Sequence, residues 1–143
     1  MTPLKQESIS SKLLRIRRNV KELEQLGKLP YKAYVQNILH TSTAERLLQV
    51  SIEAMLDIGS HIVAEESLGE PLEYRDVFLL LIKGKILSKE KETAFINLAG
   101  LRNRIVHVYE DIDHKQIYRF LKHELGDIEY FVTAVMRYLK KQK

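Results

Sequence analysis

Cysteine is absent from the 143 residues, so no disulfide staples the fold and no thiolate does chemistry, in keeping with a reducing compartment. Proline and glycine are scarce, at 3 and 6, and no stretch is of low complexity, which restricts expected disorder to the chain ends. The opening MTPLKQES lacks the apolar stretch of a secretory signal. The longest apolar run, VFLLLI at 77–82, is far shorter than the ~20 residues a bilayer span needs. A soluble, cytoplasmic protein without a membrane partner is therefore expected. Strand-like alternation, internal repeats, a glycine-rich phosphate loop and a nucleophile elbow are all missing. No carboxylate–histidine set has the spacing of metal ligands, and neither a metal nor a cofactor is expected.

What is present suits one domain over 1–143, built around one sizeable core: 45% of residues are hydrophobic and 29% charged. The net charge of +4 admits an anionic partner such as RNA without demanding one. Part of the excess sits in the terminal KKQK, which reads as a solvated helix end.

Apolar spacing of three and four runs through most of the chain. Ile9, Leu13, Ile16, Val20 and Leu23 form one face of a first helix, Ser8 to Leu26, stopped by Gly27 and Pro30. YKAYVQNIL is left as a short helix or an irregular connector. Ser42 followed by Glu45 has the form of a capping box, opening a long helix that reaches about Glu66. Ala44, Leu48, Ser51, Met55, Ile58 and Ile62 make its main stripe, and Leu47, Val50 and Ala54 widen it. A helix apolar over so much of its circumference has a second face to cover, so a symmetric homodimer is expected. A short helix, Tyr74 to Lys83, should close at Gly84. Ser88 should cap the next, and Asp113 the last, whose stripe runs from Ile117 through Phe131 to Leu139 with a bend at Gly126. The expected fold class is all-α, a bundle of four to six helices.

Residues 102–109, RNRIVHVY, crowd titratable and phosphate-binding groups where one of these helices should end. Arginine presents a rigid fork of donors that matches phosphate. Histidine exchanges protons near neutral pH. Asparagine can orient a hydroxyl. Together, Arg102, Asn103 and His107 are the kit for metal-free cleavage of a ribose–phosphate link: a base takes the 2′-OH proton, the oxygen attacks phosphorus, and a cation holds the developing charge. The same residues could instead cap helix carbonyls. At ~100° per residue Asn103 and His107 share a face, whereas Arg102 and His107 stand ~140° apart on an ideal helix. Three routes would reconcile them: a long arginine reaching round, a helix that breaks before His107, or a two-fold dimer pooling two chains.

A second polar set, Gln49, Glu53, Asp57 and His61, lies four apart along the long helix. Gln49 and Glu53 read as a solvated face. Asp57 and His61 sit between apolar positions, so a buried network is expected there, with Asp57 orienting His61 or accepting from Arg102.

Arg102, His107 and Tyr109 fit R-x4-H-x-Y, and with the preceding AERLLQVSIEAMLDIGSHIVAE the chain resembles the HepT-like branch of the HEPN superfamily, from about Thr43 to Asp113. The resemblance implies an all-α homodimer with its motifs brought together at the dimer cleft. It further implies a metal-independent endoribonuclease toxin, silenced when a minimal nucleotidyltransferase antitoxin attaches AMP units to the motif tyrosine. Carried over, Arg102 and His107 are catalytic, Asn103 completes the family's usual RN pair, and Tyr109 is the modified position; from their place on the long helix, Asp57 and His61 are expected as further supporting residues. The alternative is a non-catalytic RNA- or nucleotide-binding module that docks a nucleotidyltransferase.

Overall fold

The computed structural model describes residues 1–107 and 112–142. Seven α-helices occur among them: α1 Pro3–Lys28, α2 Tyr31–Val35, α3 Ile38–Glu65, α4 Tyr74–Lys83, α5 Glu92–Val106, α6 His114–His123 and α7 Leu125–Lys141. A 3-10 turn, Lys89–Lys91, leads into α5, and no strand is present among the described residues.

The all-α expectation holds, while the helix count exceeds four to six for two local reasons. YKAYV closes one helical turn and a half of its own as α2. The expected last helix is two, because the chain breaks at Glu124, two residues ahead of Gly126. Helix starts also moved. Thr2 caps α1 by accepting from the Lys5 amide, with Pro3 at the first helical position where a missing N–H costs nothing. Asn37 caps α3 by accepting from Leu39, so Ser42 and Glu45 lie inside the helix and form no capping box. Ser88 and Asp113 do cap, accepting from Glu90 and from Lys115 and Gln116 respectively.

The apolar stripes lie where periodicity puts them. Ile9, Leu13, Ile16, Val20 and Leu23 of α1 and the Ala44–Ile62 stripe of α3 are all buried. The α6 and α7 positions from Ile117 to Leu139 join the same core. Helix α3 is the central post, packed against α1 on one side and α4 and α5 on the other. By length and composition alone α3 could cross a bilayer, but its apolar stripe is occupied by these neighbours. Phe78 of α4, Phe95 of α5 and Phe131 of α7 meet with ring centroids 5.0–6.2 Å apart.

Helices α3 and α4 approach so closely at Gly59 that a Cβ there would lie 2.6 Å from Val77 Cγ1. This contact sets the position of α4, and with it the loop and first turn that face α5. Asp76 fixes that loop further: its carboxylate accepts from the backbone amides of Leu72 and Glu73 at 3.0 and 2.9 Å.

Candidate active site

Helix α5 delivers the RNRIVH segment, and it ends at Val106. His107 is the first residue beyond it, with φ −79° and ψ 101°, an extended conformation. The helix therefore breaks before His107, one of the three ways open to the motif, and the ~140° offset of an ideal helix does not apply to it. His107 is exposed and shares a cavity of about 610 Å³ with Asn103, Ser60 of α3, Tyr74 of α4 and Leu72 of the intervening loop.

Arg102 points into an adjoining cavity of about 270 Å³ with Glu53, Asp57, Ser60 and Tyr74. Ser60 and Tyr74 line both cavities, so the two form one groove with Tyr74 at the junction. The Arg102 side chain is only 19% exposed. Its guanidinium carbon lies 4.4 Å from the centre of the Tyr74 ring, within cation–π range. One terminal nitrogen is 3.8 Å from Glu53 Oε1, and the other donates to Asn103 Oδ1 at 3.4 Å. Its Nε is buried and has no partner among the described residues. A guanidinium stacked on a ring and lining a cavity is suited to gripping an oxyanion.

The polar row of α3 differs from expectation. Asp57 does not accept from Arg102; it pairs with Lys12 of α1, and the guanidinium faces Glu53, one turn earlier. That exchange follows from packing. α1 lies against α3 and sets Lys12 beside Asp57, leaving Glu53 as the carboxylate nearer α5. The hydrogen bond from Lys12 holds the Asp57 carboxyl below its usual range, against an opposing push from partial burial. Nor is the Asp57–His61 set buried: the side chains are 49% and 38% exposed. They stand 3.8 Å apart, and His61 Nε2 is 3.2 Å from Lys5 Nζ. Glu53, expected as solvated, accepts from Gln49 at 2.9 Å on the groove wall. Among the described residues no three His, Asp or Glu side chains are grouped to hold a metal ion. Tyr109 lies outside the described residues.

Sequence reading missed Tyr74, Ser60 and Leu72. Tyr74 is 28 positions from Arg102, and no local pattern links them. Glu53 was within reach, because it sits on the same four-residue row as Asp57.

Against known proteins, the family model described as Ribonuclease HepT-like matches residues 16–135. The chain is 30% identical over 139 residues to a tRNA nuclease HepT of Aphanizomenon flos-aquae, covering 97% of this chain and 95% of that one. It is 28% identical over 127 residues to an mRNA nuclease HepT of Shewanella oneidensis, covering 89% and 95%. Among solved structures, it superposes on the tri-AMPylated Shewanella oneidensis HEPN toxin in complex with its MNT antitoxin with a TM-score of 0.83 at 26% identity, over 96% of this chain and 99% of that one. A toxin–antitoxin complex with AMP-PNP gives 0.82 at 26% identity, over 90% and 97%.

Proposed function

The chain belongs to the HepT-like ribonuclease family, and on that premise we propose that it is a metal-independent endoribonuclease, the toxin of a pair whose antitoxin is a minimal nucleotidyltransferase. The observation that carries this reading is the continuous groove in which Arg102 and His107 occupy adjoining cavities joined at Ser60 and Tyr74. Relatives that cut tRNA and mRNA support RNA as the substrate, and a cytoplasmic site of action goes with it.

In the proposed reaction, the His107 imidazole takes the ribose 2′-OH proton. The 2′-oxygen then attacks phosphorus, and the 5′-oxygen leaves with a proton returned from an imidazolium. Arg102 clamps the phosphoryl oxygens and holds the charge that grows on them. Asn103, within reach of both Arg102 and the His107 cavity, orients the ribose. Asp57, paired with Lys12, supports the charge balance of the Arg102 cavity that it lines, whereas His61, beside Lys5, lines neither cavity and acts only through Asp57. Two copies pair across α3, where Leu47, Val50 and Ala54 remain half-buried in one chain and Ile38 and Leu39 are about three-quarters exposed. Such a pairing brings two motifs to one cleft.

Tyr109 follows His107 by two residues, and we assign it as the position the antitoxin modifies. Each AMP brings bulk and a negative phosphate toward Arg102, filling the place of the substrate phosphate. Co-expression with a minimal nucleotidyltransferase of the antitoxin type is expected to raise its intact mass by one or more AMP units and to abolish cutting. Tyr109→Phe should stay unmodified; an AMP-bearing Tyr109→Phe chain would place the modification elsewhere.

The direct test is cleavage of RNA by purified protein in EDTA. Arg102→Ala is expected to lose the activity, and equal cutting by wild type and variant would mean a contaminant. RNA binding without any turnover would favour the docking-module reading. Tyr74→Leu removes the ring stacked on Arg102 while leaving the charge. A cation–π contact of about 0.5–2 kcal/mol predicts cutting about 2- to 30-fold slower, measured under single-turnover conditions.

A further inference from the structure

The chain is net +4, yet that charge is not spread evenly. Residues 83–91 hold four lysines against one glutamate, and residues 137–142 hold Arg137, Lys140 and Lys141 with no acid. These two segments are together net +6, which leaves the rest of the chain net −2. They are some fifty positions apart, and the fold sets them side by side at the end of the bundle where α3, α4 and α7 all finish.

There, Lys85, Arg137 and Lys141 line a cavity of about 410 Å³ with Glu66, Tyr138 and Gly84. A second depression of about 430 Å³ shares Lys85 and adds Lys83 and Lys89. Three of the acids nearby are already engaged, while Glu90 is exposed and makes no ion pair among the described residues. Glu66 accepts from Tyr138 at 2.8 Å, Glu92 pairs with Lys89 at 3.4 Å, and Asp127 with Lys91 at 3.2 Å. Lys83, Lys85, Arg137 and Lys141 are exposed and make no ion pair among the described residues. Three helix C-termini meet here, each worth about half a negative charge, so about −1.5 is offset and the end of the bundle stays positive.

The reach fits a single strand. Tyr74, on the groove, and Gly84, on the cationic cavity, mark the two ends of α4, whose ten residues span about 15 Å. At about 3.4 Å per stacked nucleotide, that is four to five nucleotides.

We propose that this cationic end, built from Lys85, Arg137 and Lys141, is a second binding site for the substrate RNA, gripping backbone phosphates about four to five nucleotides from the scissile bond. The assignment rests on the endoribonuclease reading. Arg137 offers the fork that fits phosphate oxygens, and the two lysines supply point charges on either side. It contacts no base edges in this role, so it strengthens binding without choosing sequence.

The test is the Lys85→Gln/Arg137→Gln/Lys141→Gln chain, with Lys85→Gln and Lys141→Gln singly should the triple variant fail to fold. Losing about three phosphate contacts should raise KM for a long single-stranded RNA about 10- to 100-fold near 0.1 M salt, with kcat unchanged, and flatten the salt slope by about 2. A trinucleotide, too short to reach, should be cut equally by both proteins. Binding of fluorescent RNA to His107→Ala, with and without the three changes, reads the site apart from turnover. Absent cutting with binding that still depends on the three residues would overturn the nuclease reading alone. Unchanged KM, salt slope and RNA affinity would overturn the second site alone. So would a loss confined to binding of the nucleotidyltransferase, which would make this end an antitoxin surface.

Discussion

With His107 replaced by alanine, RNA cleavage under single-turnover conditions is expected to fall about 10²- to 10⁴-fold, the range for removing a positioned general acid or base. The side chain is exposed at the end of α5 and lines the larger cavity of the groove, so its removal leaves no hole in the core. The melting curve and helical signal should match wild type, which separates lost chemistry from lost structure. His107→Gln keeps a polar side chain of similar reach but cannot shuttle a proton, and it should be as slow as His107→Ala. The KM for RNA should change far less than kcat, because Arg102 still binds phosphate. Cutting by His107→Ala within a factor of three of wild type would remove the imidazole from the mechanism.

Phe95→Ala is expected to cost about 3–5 kcal/mol of stability, as deletion of a buried aromatic ring does. Phe95 is fully buried on α5, 5.0 Å from Phe78, 6.2 Å from Phe131 and 6.1 Å from Tyr130 between ring centroids. Its loss opens a cavity where three helices meet. A domain of this size has about 5–15 kcal/mol in total, so the variant keeps little margin. A fall in Tm of about 10–20 °C is the expected reading by calorimetry. Activity should vanish on warming at a temperature where His107→Ala is still folded, because the far end of α5 carries Arg102 and Asn103 and leads directly into His107. A loss below about 1 kcal/mol would mean that the aromatic cluster is not what anchors α5.

The stripes of α1 and α3 could be read because each is set by the helical repeat within one segment. Caps at Ser88 and Asp113 were legible for the same reason. The false capping box at Ser42 shows the limit: Asn37 offers an equivalent side chain five residues earlier, and local spacing does not decide between two good caps. The break at Glu124 carries no proline, and the nearby glycine is not where it falls. In the site, the arginine and histidine were legible as chemistry. Acceptance from Arg102, one of the two roles open to Asp57, falls to Glu53 instead, because residues four apart on one row look alike until α1 brings Lys12 to one of them.

The amino-acid sequence by itself determined the helical class, the buried faces and the R-x4-H-x-Y set, because each depends on residue identity and on spacing within a turn or two. Only the tertiary structure decided that Tyr74 stacks on Arg102, that Glu53 faces it, and that the lysines near 85 meet Arg137 and Lys141. Those encounters join segments 28 to 56 positions apart. They are set by how helices pack and where the chain turns back, and no local repeat encodes that.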